Sequence, residues 1–188
     1  MHVCGQHVTP PGGPSGAACH DAGVRLRAFD PADTDAVLAL NQGALPAVSS
    51  LDNDRLDALV ALVEQVVVVD DGTGAFGSVA GFAMMFGPGS VYDSLNYAWF
   101  GARLADFGYL DRVVVSATHR RRGVATTLYD HLEQAARPAG QMACEVNAEP
   151  PNVASLAFHA ARGYAEVGRL AQPTGTTCAM LVKELSDD

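Results

Sequence analysis

No stretch of the 188-residue sequence stays apolar for the roughly 20 residues that a bilayer-crossing helix needs, so no membrane span is expected. Basic charge is scarce. Twelve Lys and Arg against 21 Asp and Glu leave a formal charge of −9. That balance argues against a general nucleic-acid binder, which shows a basic footprint, and favours cationic partners through long-range attraction. The opening MHVCGQHVTPPGGPSGAACHDAG has no basic stretch followed by an apolar core, so it does not read as a secretory signal, and the expected location is the cytoplasm. Cys4, Cys19, Cys144 and Cys178 form no paired framework and read as reduced thiols. The spacing of Cys4, His7, Cys19 and His20 matches no zinc pattern, and no metal is expected. No glycine precedes the Lys-Ser/Thr of a Walker loop, and no G-x-G-x-x-G follows the first strand. Nucleotide hydrolysis and dinucleotide binding therefore fall away.

What is present suits one domain with a core. Nearly half the residues, 48%, are apolar. Residues 1–23 are rich in Gly, Pro, Ala and Ser and read as a disordered tail ahead of a domain over 24–188. VRLRAFD alternates Val24, Leu26 and Ala28 against Arg25 and Arg27, the pattern of a half-buried strand. Asp30 and Pro31 then open a helix, and residues 53–65 give a second one with Leu56, Leu59, Val60 and Val63 on one face. Strands are expected at 66–70 and 78–86, joined by a turn at Asp71-Gly72. Residues 87–107 read as a long irregular connection rich in aromatics. Further strands follow at 109–115 and around MACEVNA, then a short helix from an Asn152 cap to a stop at Gly163, then closing strands. The order predicts an α/β (α+β) layer, with helices flanking a mixed central sheet.

The most specific stretch is HRRRGVATTLYDHLEQAA, residues 119–136. A buried strand ends at Ser116, a short loop follows, and a helix opens near Gly123 with Val124, Leu128, Leu132 and Ala135 at helical spacing. The first turn of a helix has unpaired N–H groups and a partial positive charge. Gly123 and Ala125 keep the approach to them small, and Arg120, Arg121 and Arg122 add full charges. Cations at a helix start oppose the dipole and one another, so the placement destabilises the fold unless an anion binds. A phosphate or pyrophosphate suits the site, with Thr126 contributing a hydroxyl.

Arg120-Arg121-Arg122-Gly123-Val124-Ala125 resembles the R/Q-x-x-G-x-G/A motif of the GNAT superfamily of N-acetyltransferases. The resemblance extends over residues 109–136 as a strand–loop–helix unit. It continues through CEVN and PPNVASLAFHAARGYAEVGR, with Asn152-x-x-Ser155 and Gly163-Tyr164. It implies a single GNAT-like domain whose splayed central strands form a cleft for acetyl-CoA. It implies that the amides from Arg121 to Ala125, with Thr126, hold the CoA pyrophosphate and that the arginines neutralise phosphate. It further implies that the edge at Val113, Val114 and Val115 pairs with the pantetheine arm and polarises the thioester carbonyl, and that Asn152 and Ser155 approach the cofactor. Where the family often has a tyrosine as acid, seven residues after the asparagine, this sequence has His159. Imidazole donates a proton near neutral pH, so the role passes to His159; the alternative is a packed helix residue.

Two carboxylates are candidates for the general base. Glu145 lies on the strand face opposite Met142, Cys144 and Val146, and Asp111 starts the other cleft-lining strand; each equally suits an exposed strand carboxylate or an arginine partner, Asp111 through its neighbour Arg112. Cys144 reads as core. For the acceptor, a small-molecule or peptide amine, the connection YDSLNYAWF offers Tyr92, Asp93, Asn96, Tyr97 and Trp99, and Asn41 and Ser49 lie in the other expected wall. The same connection equally suits a homodimer contact or a hydrophobic plug. The leading expectation is direct acetyl transfer from acetyl-CoA to a primary amine in a ternary complex. The competing one is a CoA- or acyl-CoA-binding module without turnover.

Overall fold

The computed structural model of the chain describes residues 25–71 and 78–185. The expected tail at 1–23, with Cys4, His7, Cys19 and His20, lies outside the described residues, as do Val24 and Gly72.

Seven strands form one sheet: β1 (Arg25–Ala28), β2 (Gln65–Asp70), β3 (Val79–Phe86), β4 (Gly108–Val115), β5 (Gln141–Glu149), β6 (Ala165–Ala171) and β7 (Thr177–Glu184), in the spatial order β1-β2-β3-β4-β5-β7-β6. Every neighbouring pair is antiparallel except β4 and β5 at the centre, which run parallel. A parallel pair needs a crossover. It is supplied by α4 (Val124–Ala136), which follows β4 and lies on one face of the sheet. Helix α5 (Val153–Ala161) follows β5, and its Leu156 and Phe158 join α4 on that face. The opposite face carries α1 (Thr34–Gly43), α2 (Asn53–Val60) and α3 (Leu95–Gly101), with Val37, Leu56, Leu59 and Phe100 in their own core around Phe82, Phe86 and Tyr109.

Strand alternation explains the two cores. In β3, Phe82, Met84 and Phe86 face α1–α3, while Ala83 and Met85 face α4. In α4 the buried positions Val124, Leu128 and Leu132 recur every fourth residue, and each contributes about 1.5–3 kcal/mol by leaving water. The helix can lie flush on the sheet because two strand residues lack side chains. A Cβ at Gly81 would come within 2.8 Å of the Val124 side chain, and one at Gly108 within 2.7 Å of Ala136.

Two expected boundaries change. The second helix stops at Val60 and not at 65, because the Glu64 amide turns to the Met85 carbonyl (2.9 Å) and the chain joins the sheet as β2. The connection at 87–107 is not wholly irregular. Ser94 accepts a hydrogen bond from the Tyr97 amide and starts α3.

Candidate functional site

The loop from β4 to α4 makes the first half of the site. A short 3-10 turn (Ala117–His119) ends β4's excursion, and Arg121 and Gly123 then take left-handed backbone angles, φ 60° and 82°. For arginine this region is strained by on the order of 1–3 kcal/mol, a strain that clusters at functional sites. Open space surrounds Gly123, with nothing within 4 Å of a Cβ there, so backbone angle rather than crowding calls for glycine. Helix α4 starts with no side-chain cap, whereas Asp52, Ser94 and Asn152 cap α2, α3 and α5, and Asp30 caps the 3-10 turn that leads into α1. The side chains of Arg120, Arg121 and Arg122 are exposed, with no ion-pair partner among the described residues. The amides border a cleft of about 300 Å³, lined by Val115 and His119, by Gly123 to Thr126 along the helix, and by Phe158 from α5. Uncapped amides, unpaired cations and open volume coincide at one point, and a diphosphate fits there.

The second half is a gap in the sheet. β4 and β5 pair only through Gly108↔Met142, Tyr109↔Ala143 and Leu110↔Cys144. Beyond that the two strands part, β4 staying with β3 and β5 with β7. The register of β3 against β4 slips by one residue between Met84 and Met85, so Asp111 has no partner across the ladder. Such a bulge re-aims side chains and edges. Val113, Val114 and Val115 run along the parted stretch of β4.

Glu145 is the first residue of β5 past the last pair. Alternation turns it away from Met142, Cys144 and Val146, which pack on the α4 side, and toward the α1–α3 side. Tyr109 Oη donates to Glu145 Oε2 at 2.8 Å. Burial of the carboxylate, followed by the negative charge of Asp111, pushes Glu145 up to about 8; the Tyr109 and Asn96 hydrogen bonds pull the other way. Burial, with the charges of Glu145 and Asp111, likewise drives the Tyr109 phenol well above its ordinary range.

Asp111 has both oxygens engaged. It accepts from Tyr92 Oη at 2.7 Å and from Arg112 Nε at 2.9 Å. The buried Arg112 guanidinium also donates to Asn41 Oδ1 (3.0 Å) and Ser49 Oγ (2.9 Å), fastening β4 to the chain after α1. Asp111 is thus an arginine partner, the second of its two expected readings. Its fixed charge acts on Glu145.

His159 is 5% exposed and packed edge-on against Tyr129, Phe158 and Tyr164. Its Nδ1 lies 2.7 Å from the Ser155 carbonyl, which can only accept, so the ring proton sits on Nδ1. Nε2, at 2.7 Å, then accepts from the Tyr129 hydroxyl. Burial holds the imidazole below its ordinary range and therefore neutral. Both ring nitrogens face the protein, so the expectation of His159 as direct proton donor gives way to the alternative of a packed helix residue. Asn152 Oδ1 accepts from the Ser155 amide (3.2 Å) within the first turn of α5, and the Asn152 amide donates back to the Asn147 carbonyl of β5 (2.9 Å).

The expected acceptor residues separate. Tyr92 is half-buried, stacked on Phe86 at 4.0 Å, and reaches Asp111. Asn96 Oδ1 accepts from Gln172 Nε2 at 2.8 Å, and the same side chain pulls the Glu145 pKa down. Asp93 is exposed and pairs with Arg55. Tyr97 is a correction: it is buried, its hydroxyl donates to the Gly87 carbonyl (2.8 Å) and accepts from the Ser90 amide (2.9 Å), and it belongs to the core. Trp99 packs on Phe100 and under Arg103, away from the carboxylates. Tyr109 as the partner of Glu145, and Arg112 as the partner of Asn41, escaped the sequence reading, since 36 and 71 residues separate them and no local pattern announces either pair.

Among the described residues, no three His, Cys, Asp or Glu side chains gather to hold a metal ion, and no helix is long and apolar enough to cross a membrane.

A family model of the acetyltransferase (GNAT) family matches residues 40–164. No curated protein matches the chain. Solved structures that resemble it include Ard1 from Thermoplasma volcanium (17% identity, 87% of this chain and 99% of that one, TM-score 0.67). An N-acetyltransferase from Staphylococcus aureus Mu50 gives 20% identity, 87% and 99% coverage and a TM-score of 0.63. Arabidopsis thaliana NAA60, in complex with acetyl-CoA, gives 16%, 86% and 99%, with a TM-score of 0.66.

Proposed function

The chain belongs to the GNAT acetyltransferase family, and from that premise we propose that it moves an acetyl group from acetyl-CoA to the primary amine of a small molecule or peptide, directly and in a ternary complex. The observation that carries this reading is the meeting of two unlike features across one gap. The open start of α4 lies on one face of the sheet, and Glu145 looks out on the other.

Acetyl-CoA, when bound, supplies the acetyl thioester. The amides from Arg121 to Ala125, with Thr126, hold its diphosphate, and Arg120, Arg121 and Arg122 neutralise phosphate charge. The freed edge of β4 at Val113 to Val115 aligns an extended chain as a further strand would, and offers backbone N–H to the reacting carbonyl. The amine enters from the α1–α3 face as an ammonium ion. Glu145 would take its proton, the neutral nitrogen would add to the thioester carbonyl, the C–S bond would break to release the thiolate, and the nitrogen's second proton would pass to that thiolate or to solvent. A base of pKa about 8 is well matched to work near neutral pH. Tyr109 holds its carboxylate in place, and Asp111, fixed by Arg112 and Tyr92, keeps it basic. A thiol leaves readily as its anion at this pH, since its ordinary pKa is about 8.5, and no acid at His159 is needed.

The test is release of free thiol from acetyl-CoA over a panel of amines, amino acids, polyamines and peptide N-termini. Turnover that rises with pH to a plateau above about 8 is expected. Coenzyme A binding with no thiol release from any amine overturns the reading in favour of a binding module.

A further inference from the structure

The insert between β3 and β4 spans the acceptor face from wall to wall. At one end Asp93 pairs with Arg55 of α2 at 2.5 Å, and the same guanidinium lies 5.6 Å from the centre of the Tyr92 ring. At the other end Asn96 Oδ1 accepts from Gln172 Nε2 at 2.8 Å, in the connection between β6 and β7. Next to it the Trp99 ring lies over β6 so closely that a Cβ at Gly168 would come within 2.7 Å of it. Between the two ends the insert touches one carboxylate directly, Tyr92 donating to Asp111 at 2.7 Å, and Asn96 lowers the pKa of the other, Glu145.

We propose that this insert is a fixed roof that restricts the acceptor to a small primary amine arriving as its ammonium ion and excludes polypeptide N-termini, with Arg55, Trp99 and Gln172 as the residues that determine this specificity. The inference rests on the acetyltransferase reading above. A peptide delivering its N-terminus to Glu145 must lay an extended backbone along an open channel, at about 3.3 Å per residue. Here any such channel is closed over by a chain tied down on both sides, to α2 and to β6. The chemistry beneath the roof selects a cation. Asp111 is held by Arg112 and Tyr92, so Glu145, in its ionised form, is the carboxylate free to meet an incoming ammonium, and the Tyr109 ring that bonds it lies 6.4 Å from the Tyr92 ring. The overall charge of −9 favours cationic partners of the chain as a whole.

The experiment compares kcat/KM, at saturating acetyl-CoA, for small primary amines and for tetrapeptides with free N-termini. The best small amine should exceed the best peptide by about tenfold or more, the scale on which a shaped site discriminates. A smaller ratio, or a preference for peptides, overturns this inference while acetyl transfer stands. Thiol release from neither class overturns the acetyltransferase reading and this inference with it. Trp99→Ala combined with Gln172→Ala should reduce the ratio by admitting peptides. Arg55→Ala, a change at a partly exposed side chain, does the same from the other wall should the double variant not fold. An unchanged ratio in a folded variant overturns the roof.

Discussion

β4 and β5 run side by side for three residues and then part, and the two halves of this pair follow different rules. In the closed half, Leu110, Met142, Ala143 and Cys144 are all buried, and burial pushes the Cys144 thiol well above its ordinary range, which leaves it inert. One residue further on, in the open half, β5 carries a carboxylate, and β4 carries a bulged aspartate and a buried arginine. The core logic stops where strand pairing stops. A sheet that kept pairing would bury the edge of β4 and leave no place for a ligand strand or a proton acceptor. Cys144 and Glu145 are neighbours in sequence, yet they answer to opposite demands, packing and chemistry.

The sharpest way to break that contrast is Glu145→Gln. Loss of the base should lower kcat/KM by about 10²–10⁴-fold, with coenzyme A affinity retained. Stability should move the other way. With its pKa raised to about 8, Glu145 binds its proton more tightly in the folded chain than in the unfolded one. Stability therefore falls as pH climbs from the ordinary carboxylate range through about 8. Glutamine does not ionise, so the melting temperature of the variant relative to wild type should climb between pH 5 and pH 9. A flat difference would show that Glu145 carries no such strain. The closed half predicts the mirror image. Met142→Ala should cost about 2–5 kcal/mol in denaturant unfolding and leave turnover per folded molecule unchanged. A rate defect there would mean that the two halves are not separate.

The same opposition recurs between two helix starts on one face of the sheet. α5 opens on a turn capped by Asn152 and tied to β5 at Asn147, whereas α4 opens on a left-handed glycine, a cleft and arginines with no ion-pair partner among the described residues. Arg121→Glu with Gly123→Asp puts negative charge where the diphosphate would lie. It should weaken coenzyme A binding about 100-fold, or roughly 2.7 kcal/mol, in titration calorimetry. Unchanged affinity would place the cofactor elsewhere.

How much of this the sequence carries depends on whether a feature is local. The α4 start was legible because its signals are contiguous: an apolar strand, Gly123, small residues and arginines within a dozen positions. The orientation of Glu145 was legible from alternation alone, since Met142, Cys144 and Val146 fix the buried face. α3 was missed because a seven-residue helix rich in aromatics resembles a strand or loop, although the Ser94 cap was there to be read. The sequence offered alternatives for His159 and Asp111 and could not choose between them. Arg112 stands next to Asp111, but Tyr129 for the one and Tyr92 for the other are brought in by tertiary folding from 30 and 19 residues away. A residue's type says what it can do, and its neighbours in space decide whether it is free to do it.

The smallest effect tests the helix comparison from its quiet side. Asn152 accepts from the Ser155 amide, and without it that amide loses its cap at the start of α5. Asn152→Ala should therefore lower stability by about 1 kcal/mol, typical of a lost N-cap. In a chain of this length that corresponds to a drop of about 2–4 °C in Tm. The cap also holds the first turn against which His159 donates to the Ser155 carbonyl, so fraying there loosens the link from α5 to Tyr129 on α4. Thermal melts of Asn152→Ala, with and without coenzyme A, separate the two duties a helix start can have. An equal drop in both conditions marks α5 as purely structural. A drop that grows when coenzyme A is present would mean that Asn152 also holds the cofactor, and that the two helix starts differ less than their caps suggest.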